Sequence, residues 1–296
     1  MTMTTTTNNG LFRKITVFLE MIKFSHTIFA LPFALTGALL AARGLPAGRQ
    51  LLWICLAMVG ARTAAMGLNR LIDADIDARN PRTAGRAIPA GLIGKGVTLA
   101  FICGSLVLLL SAAAQLNPLC LKLAPVAVFF LVLYSYCKRF TALAHVVLGI
   151  CLAAAPIGAW IAIRGTIDAP ALILGSIVLF WVAGFDILYA LQDLEFDRTA
   201  GLHSIPVALG VNGSLWAARL FHLVMLALLA TLWQVMGLGV GGFFMAGIVV
   251  VAAMLAYEHW LLRNGDLTKL DAAFFNMNGY ISIAILIFTA LDVLVR

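Results

Sequence analysis

The stretch NRLIDADIDARNPRTAGRAIP, residues 69–89, is the most informative part of this chain, because it places ionisable side chains between long apolar runs. Its acids are Asp73, Asp75 and Asp77, and three arginines follow within nine residues. Charged groups are costly inside an apolar environment, so such a stretch needs a reason beyond chance.

A second stretch, DILYALQDLEFDRTAGLHSIP at 186–206, repeats the pattern. Asp73 aligns with Asp193 and Asp77 aligns with Asp197 at the same separation of 120 residues. The elements TAG and IP follow both acidic motifs. We interpret the two stretches as an internal duplication.

The composition indicates a membrane protein. The 296 residues are 62% hydrophobic and 11% charged, whereas soluble domains carry about 25% charged residues. Apolar runs of about twenty residues recur along the chain, which is the length that crosses a bilayer. The net charge of +7 is scattered between these runs and forms no continuous basic stripe, so we expect no nucleic-acid partner.

The apolar pattern predicts an all-α, polytopic membrane protein with nine transmembrane helices around a central cavity. We expect residues 1–12 to be a disordered tail and residues 13–296 to form one domain. The repeat distance equals four spans, so helices two and six are equivalent and both acidic motifs face the same side. The predicted spans are about 14–42, 50–77, 95–115, 119–137, 142–163, 168–192, 213–236, 240–263 and 270–295.

The distribution of basic residues predicts the orientation. Thirteen of the twenty Lys and Arg residues lie at the N-terminus or after spans two, four, six and eight. Positive residues remain on the cytoplasmic side of the inner membrane. We therefore expect the N-terminus and both acidic motifs in the cytoplasm, and the C-terminus outside.

The first motif predicts a stripe on one helix face. Asn69, Asp73 and Asp77 are spaced by four residues, and four residues advance a helix by slightly more than one turn. Arg62, seven residues before Asn69, lies on the same stripe. Asp75 points elsewhere, and we expect it to be solvated.

The second motif has the same geometry. Tyr189, Asp193 and Asp197 are spaced by four, and Asp186 lies seven residues before Asp193. Glu195 points away. Two facing acidic stripes repel each other unless cations lie between them. Carboxylate oxygens suit Mg²⁺, which shares its coordination with phosphate oxygens. The pattern therefore predicts a diphosphate bridged by magnesium.

At these residues the chain resembles the UbiA superfamily of intramembrane aromatic prenyltransferases. NRLIDADID matches the NxxxDxxxD motif, DLEFD matches DxxxD, and YSYCKR at 134–139 resembles a YxxxK element. The resemblance covers essentially the whole chain from about residue 15. It implies a helical bundle in which a polyprenyl diphosphate places its head between the acidic motifs.

The resemblance also implies site residues. Two Mg²⁺ ions would be held by Asn69, Asp73, Asp77, Asp193 and Asp197. Lys138 would contact phosphate oxygens, with Arg139 beside it, and Tyr134 would line the cavity. Asp186 would assist the phenol or take its proton.

Further basic residues are candidates for diphosphate binding, each with a structural alternative. Arg62 binds either the diphosphate or the acceptor carboxylate, or else it pairs with a protein carboxylate. Arg82 belongs to a lid over the phosphates or simply to the positive cytoplasmic side. Lys23 lies where it can reach the substrate. We interpret His145 as a structural residue, because no second histidine or cysteine is spaced to pair with it.

Three functions remain open. The first is transfer of a polyprenyl group to an aromatic acid, 4-hydroxybenzoate by default, in ubiquinone or menaquinone synthesis. The second is the same chemistry on a dihydroxynaphthoate in a menaquinone route. The third is an ion-coupled transporter or channel, since transporters also carry internal repeats. Acids crowded at one side disfavour a transport path through both leaflets.

Overall fold

The structure is a computed structural model, and it describes residues 7–22, 30–238, 242–263 and 277–295. These residues form helices joined by turns, and none of them lies in a β-strand. In chain order the helices are α1 (Thr7–Met21), α2 (Leu31–Ala42), α3 (Gly48–Ile72), α4 (Ala74–Asp77), α5 (Lys95–Leu116), α6 (Pro118–Cys137), α7 (Ala144–Arg164), α8 (Ala169–Ala190), α9 (Leu194–Thr199), α10 (Ile205–Met236), α11 (Phe243–Leu261) and α12 (Asn278–Leu294).

The all-helical prediction is confirmed for the part of the chain that is described. Seven helical segments there are long and apolar enough to cross a membrane. Apolar side chains such as Val107, Phe129 and Leu223 are exposed on their outer faces, as lipid contact requires. The protein is therefore an integral membrane protein. The count of nine spans stays a prediction, because α2 and α12 have only 12 and 17 residues.

The N-terminal region differs from the predicted single helix over 14–42. Helix α1 begins at Thr7, inside the stretch assigned to a disordered tail, and α2 is a separate helix that begins at Leu31. Residues 23–29 lie outside the described part. The domain limits stay a prediction.

Both acidic motifs interrupt their helices, which corrects the continuous helix predicted over 50–77. Asp73 separates α3 from α4 with φ −89° and ψ 2°, and Asp193 precedes α9 with φ −101° and ψ 3°. A short 3₁₀ turn, Leu191–Asp193, joins α8 to α9. The backbone N–H of Asp77 still donates to the carbonyl of Asp73 at 2.8 Å, so Asp77 remains one turn beyond Asp73.

Helix α8 lies at the centre of the bundle. In its most apolar 18 residues 67% are buried, against 17–39% in the other six candidate spans. Its Trp181 packs on Phe33 of α2 and on Phe185, with ring centroids 4.9 Å apart in both pairs. Because α8 touches α7 and α10 along much of its length, the side chains at its end are held on several sides.

Small residues allow the closest helix contacts, as is usual where lipid surrounds a bundle. A Cβ atom added to Gly149 of α7 would lie 2.5 Å from the backbone oxygen of Leu179 in α8. One added to Gly37 of α2 would lie 2.6 Å from the backbone oxygen of Pro156 in α7. These contacts fix α2, α7 and α8 relative to one another.

The two ends of the bundle have different chemistry. At one end α3, α6 and α8 finish, and α5, α7 and α10 begin; we call this the motif end, because Asp73 and Asp193 lie there. At the opposite end Asn117 donates to the carbonyl of Ile161 at 2.7 Å, and Gln50 donates to the carbonyl of Ala162 at 3.3 Å. Adjacent helices therefore alternate in direction, and the two motifs come to the same end.

Candidate active site

Asp73 is the most enclosed acid of the two motifs, with 2% of the residue exposed. Its Oδ2 accepts from Asn69 Nδ2 at 3.0 Å and lies 2.7 Å from Lys138 Nζ. Its Oδ1 lies 3.1 Å from Arg139 Nη1, at an angle that does not form a hydrogen bond. No described residue donates a hydrogen bond to this buried oxygen. The predicted neighbours Asn69 and Asp73 are thus brought together with Lys138 and Arg139.

The guanidinium of Arg139 is itself anchored. It donates to the carbonyl of Ser135 at 2.7 Å and to the carbonyl of Ile72 at 2.9 Å, which ties the end of α6 to the end of α3. Lys138 is held from the other side, because its carbonyl accepts from the backbone N–H of His203 at 2.8 Å.

The loop after α4 joins the two motifs. Asn80 Nδ2 donates to Asp193 Oδ1 at 2.9 Å, and Arg82 Nε donates to the same oxygen at 2.8 Å. Arg82 Nη2 pairs with Asp193 Oδ2, so the arginine binds the carboxylate in a bidentate manner. Arg86 NH1 lies 2.7 and 2.8 Å from the two oxygens of Asp77. Of the three arginines that follow the first motif, two therefore neutralise motif carboxylates.

The two acidic motifs face one another across these cations. Lys138, which contacts Asp73, is also within electrostatic range of Asp197. Arg86, which contacts Asp77, is within electrostatic range of Asp193. Acids of one motif therefore share basic residues with acids of the other.

Arg82 remains a cation at any working pH. Burial alone lowers the pKa of its guanidinium, but its hydrogen bonds and charge interaction with Asp193, with a smaller contribution from Tyr189, raise that pKa above its ordinary value. The guanidinium carbon also lies 5.6 Å from the centre of the Tyr189 ring, which adds a cation–π contact.

Asp186 lies on α8, two turns before Asp193, and has a partner that sequence reasoning missed. Its Oδ2 is 2.7 Å from Nδ1 of His145, the second residue of α7. Asp186 and Asp73 both interact electrostatically with the hydroxyl of Tyr134 on α6. The pairing of Asp186 with His145 joins residues 41 positions apart, and no periodic pattern could have indicated it.

Arg62 and Arg70 of α3 form none of these ion pairs. Arg62 is half-buried, and its buried Nε has no hydrogen-bond partner among the described residues. Arg70 is 8% exposed and donates a hydrogen bond from Nη1 to Asn69 Oδ1 at 3.4 Å. Lys23 lies outside the described residues. Asp75 and Glu195 are exposed, with 89% and 81% of their side chains accessible, as the spacing predicted.

The described residues hold no group of three or more His, Cys, Asp or Glu side chains close enough to bind a metal by themselves. Mg²⁺ does not require such a cage, because it is usually held by one or two carboxylates together with substrate phosphates. The residues fit that mode of binding. Asp73 has a buried oxygen that accepts no hydrogen bond from a described residue, and Asp193 lies in the facing motif. The Lys and Arg side chains beside these acids can also bind phosphate oxygens. The residues present are compatible with a magnesium diphosphate.

The fold and this site define a class: a helical integral membrane protein with paired acidic motifs and an anion-binding set of Lys and Arg at one end. Residues 30–280 match the UbiA prenyltransferase family. The chain belongs to this family, and the prediction of a prenyltransferase is confirmed.

Individual relatives agree. The chain is 31% identical over 252 residues to a 4-hydroxybenzoate octaprenyltransferase of Vibrio cholerae serotype O1, which covers 83% of this chain and 86% of the relative. It is 32% identical to a UbiA homolog from Aeropyrum pernix K1 in its apo structure, with a TM-score of 0.83 over 91% of this chain and 98% of the other. A UbiA homolog from Archaeoglobus fulgidus bound to GPP and Mg²⁺ has the same fold, with a TM-score of 0.69 at 19% identity over 94% of this chain and 99% of the other.

Proposed function

We propose that this protein transfers a polyprenyl group from a polyprenyl diphosphate to a ring carbon of 4-hydroxybenzoate, with Mg²⁺, in quinone synthesis. One observation carries the proposal: Asn80 and Arg82, which follow the first acidic motif, bind Asp193 of the second. A diphosphate head group placed at this junction meets carboxylates from two helices and at least three cationic side chains.

Two Mg²⁺ ions would be held by five side chains of the two acidic motifs. Bound there, the metal neutralises the diphosphate and stabilises charge that builds up on it as the leaving group. The ligand set is Asn69, Asp73, Asp77, Asp193 and Asp197.

The basic side chains of the chain supply the rest of the leaving-group stabilisation. Lys138, Arg139 and Arg82 are each within 3.5 Å of a motif carboxylate, so a phosphate oxygen that arrives beside that carboxylate comes within their reach. The allylic C–O bond breaks with its electron pair passing to the diphosphate, and preorganised cations lower the energy of that charge.

The acceptor completes the reaction. The ring carbon beside the phenol hydroxyl forms a bond to the allylic carbon, and the proton on that ring carbon then leaves so that aromaticity is restored. Asp186 is the proposed proton acceptor or phenol partner, since it interacts electrostatically with the Tyr134 hydroxyl and is outside the proposed metal ligand set. Apolar helices around the motif end keep water from the reactive cation.

Arg62 is the proposed anchor of an anionic group at greater depth. It lies on α3 two turns before Asn69 and is half-buried, and its buried Nε has no hydrogen-bond partner within the described ranges. The carboxylate of the aromatic acid or a phosphate oxygen satisfies it. The motif end is proposed to face the cytoplasm from the inner membrane, with the C-terminus outside, because most basic residues lie at that end.

The experiment is a transfer assay on the purified protein in lipid. A polyprenyl diphosphate labelled in its prenyl chain is supplied with Mg²⁺ and with 4-hydroxybenzoate or 1,4-dihydroxy-2-naphthoate, one acid at a time. We expect labelled product from 4-hydroxybenzoate. If only the naphthoate gives labelled product, the acceptor is a dihydroxynaphthoate and the proposed prenyl transfer is retained. No product from either acid, together with ion flux in vesicles that Asp73→Ala or Asp193→Ala abolishes, refutes the proposal in favour of a transporter.

A further inference from the structure

Helix α7 presents a histidine to the acid that the proposed chemistry uses. His145 is buried, with 4% of the residue exposed, and its Nδ1 lies 2.7 Å from Oδ2 of Asp186. We propose that His145 is a positioning residue that holds the Asp186 carboxylate in the orientation needed to accept a proton from the aromatic substrate. This inference rests on the proposed function.

The second ring nitrogen determines the tautomer. Nε2 of His145 lies 3.4 Å from the backbone N–H of Ile205, which can only donate. Nε2 is then the acceptor, so the neutral ring carries its proton on Nδ1 and donates it to Asp186. A hydrogen bond to a charged acceptor is stronger than one between neutral groups. The same ring therefore orients the Asp186 carboxylate.

The surroundings make this contact rigid. His145 lies at the start of α7, Asp186 lies within α8, and Ile205 opens α10. Ser204 caps α10 by accepting from the N–H of Val207 at 3.3 Å, which fixes where the backbone N–H groups of the first turn point. Three helices thus converge on one imidazole, and none of them can shift without breaking one of its bonds.

The position of the pair links the two halves of the proposed site. Asp186 interacts electrostatically with the hydroxyl of Tyr134, and it lies seven residues before Asp193 of the second acidic motif. The contact with His145 is therefore made two helical turns before the acids proposed to bind the diphosphate. One ring nitrogen meets Asp186 and the other faces a backbone N–H, so the effect of His145 on the proposed chemistry passes through Asp186.

A buried histidine that merely satisfies its hydrogen bonds is the competing explanation, and substitutions separate the two. In His145→Asn the amide nitrogen takes the place of Nδ1 and can still donate to Asp186. In His145→Gln the amide group takes the place of Nε2 and leaves Asp186 without its donor. His145→Ala removes both nitrogens. Asp186→Asn removes the proton acceptor.

We expect His145→Ala and His145→Gln to lower kcat/KM for the aromatic acid about 10-fold to 100-fold, the size expected for a lost hydrogen bond to a charged group. His145→Asn should recover activity to within about threefold of the wild type, and the KM for the polyprenyl diphosphate should not change in any of the three. The double variant His145→Ala, Asp186→Asn should be no slower than Asp186→Asn alone, because the two residues act as one unit.

Equal loss in the Asn and Gln variants, or additive loss in the double variant, overturns the inference. If His145→Ala fails to accumulate in membranes, the comparison of Asn with Gln carries the same test. The thermal midpoint of each variant in detergent shows whether a loss of activity follows a loss of folding.

A second measurement does not depend on the acceptor. In protein labelled with ¹⁵N-histidine, the signal that His145→Asn removes should report a neutral ring protonated on Nδ1. A ring protonated on Nε2 overturns the inference even if the enzyme is active. A wild-type protein that transfers no prenyl group to either acid, but shows the Nδ1 tautomer, contradicts the proposed function and leaves the contact itself intact.

Discussion

The sharpest prediction compares two acids that are two residues apart in the same motif. Asp73→Asn and Asp75→Asn make the same chemical change at the same end of the bundle. Asp73 is 2% exposed and is surrounded by Lys138, Arg139 and Asn69. The Asp75 side chain is 89% exposed and forms an ion pair with Lys95 at 3.2 Å.

The expected stability effects follow from these contacts. Breaking a fully buried ion pair costs about 3–5 kcal/mol. The Lys138 and Arg139 side chains are 28% and 32% exposed, so water screens part of that cost, and we expect Asp73→Asn to lose roughly 1–3 kcal/mol. An exposed pair contributes little, so Asp75→Asn should change stability by less than about 0.5 kcal/mol.

The expected activity effects differ more. If Asp73 binds magnesium and orders Lys138 beside the diphosphate, its charge is needed in the transition state. Asp73→Asn should then lower kcat/KM for prenyl transfer at least about 100-fold, and added Mg²⁺ should restore only part of it. Asp75→Asn should remain within about twofold of the wild type.

The assay is transfer of a labelled prenyl group in nanodiscs over a range of Mg²⁺ concentrations, with the thermal midpoint of each variant measured in parallel. Equal losses in the two variants would contradict a specific role for Asp73, because the activity would then depend on the total charge at the motif end and not on the position of each acid. So would more than half of wild-type activity in a folded Asp73→Asn protein.

Three further outcomes are expected. Gly149→Ala should destabilise the protein by about 1–3 kcal/mol, because the added Cβ would lie 2.5 Å from the Leu179 backbone. Gly158→Ala in the same helix places its Cβ more than 4 Å from any described neighbour and should be neutral or stabilising. Thermal midpoints that fall equally in the two variants would contradict the packing of α7 on α8. Arg62→Leu should slow prenyl transfer yet keep or raise the thermal midpoint, because it removes a cation whose buried Nε has no hydrogen-bond partner in the described part of the chain; a lower midpoint would indicate a structural role. Chelation of divalent cations by EDTA should abolish transfer, Mg²⁺ should restore it, and turnover that persists in excess chelator would exclude the proposed magnesium site.

Several properties of this protein could be read from the sequence because they are local. The apolar runs are long enough to cross a bilayer, and that property belongs to each segment separately. The spacing of Asn69 and Asp73 by four residues places them one turn apart, and the structure joins them by a 3.0 Å hydrogen bond. The exposure of Asp75 follows from the same period.

The helix breaks at the two acidic motifs could not be predicted from the spacing of their residues. A period of four predicts where side chains point on a continuous helix, but it does not show that the backbone turns at Asp73 and Asp193. Those turns depend on how α4 and α9 pack at the end of the bundle, and therefore on residues distant in the chain.

Composition and period were enough to predict a helical membrane protein with two acidic motifs, since both depend only on neighbouring residues. The pairing of each cation with its acid could be seen only in the folded bundle. Arg82 reaches Asp193 across 111 positions, and His145 meets Asp186 across 41. Such pairs are set by how separate helices and an irregular loop pack in space, and packing between distant segments leaves no repeat in the chain.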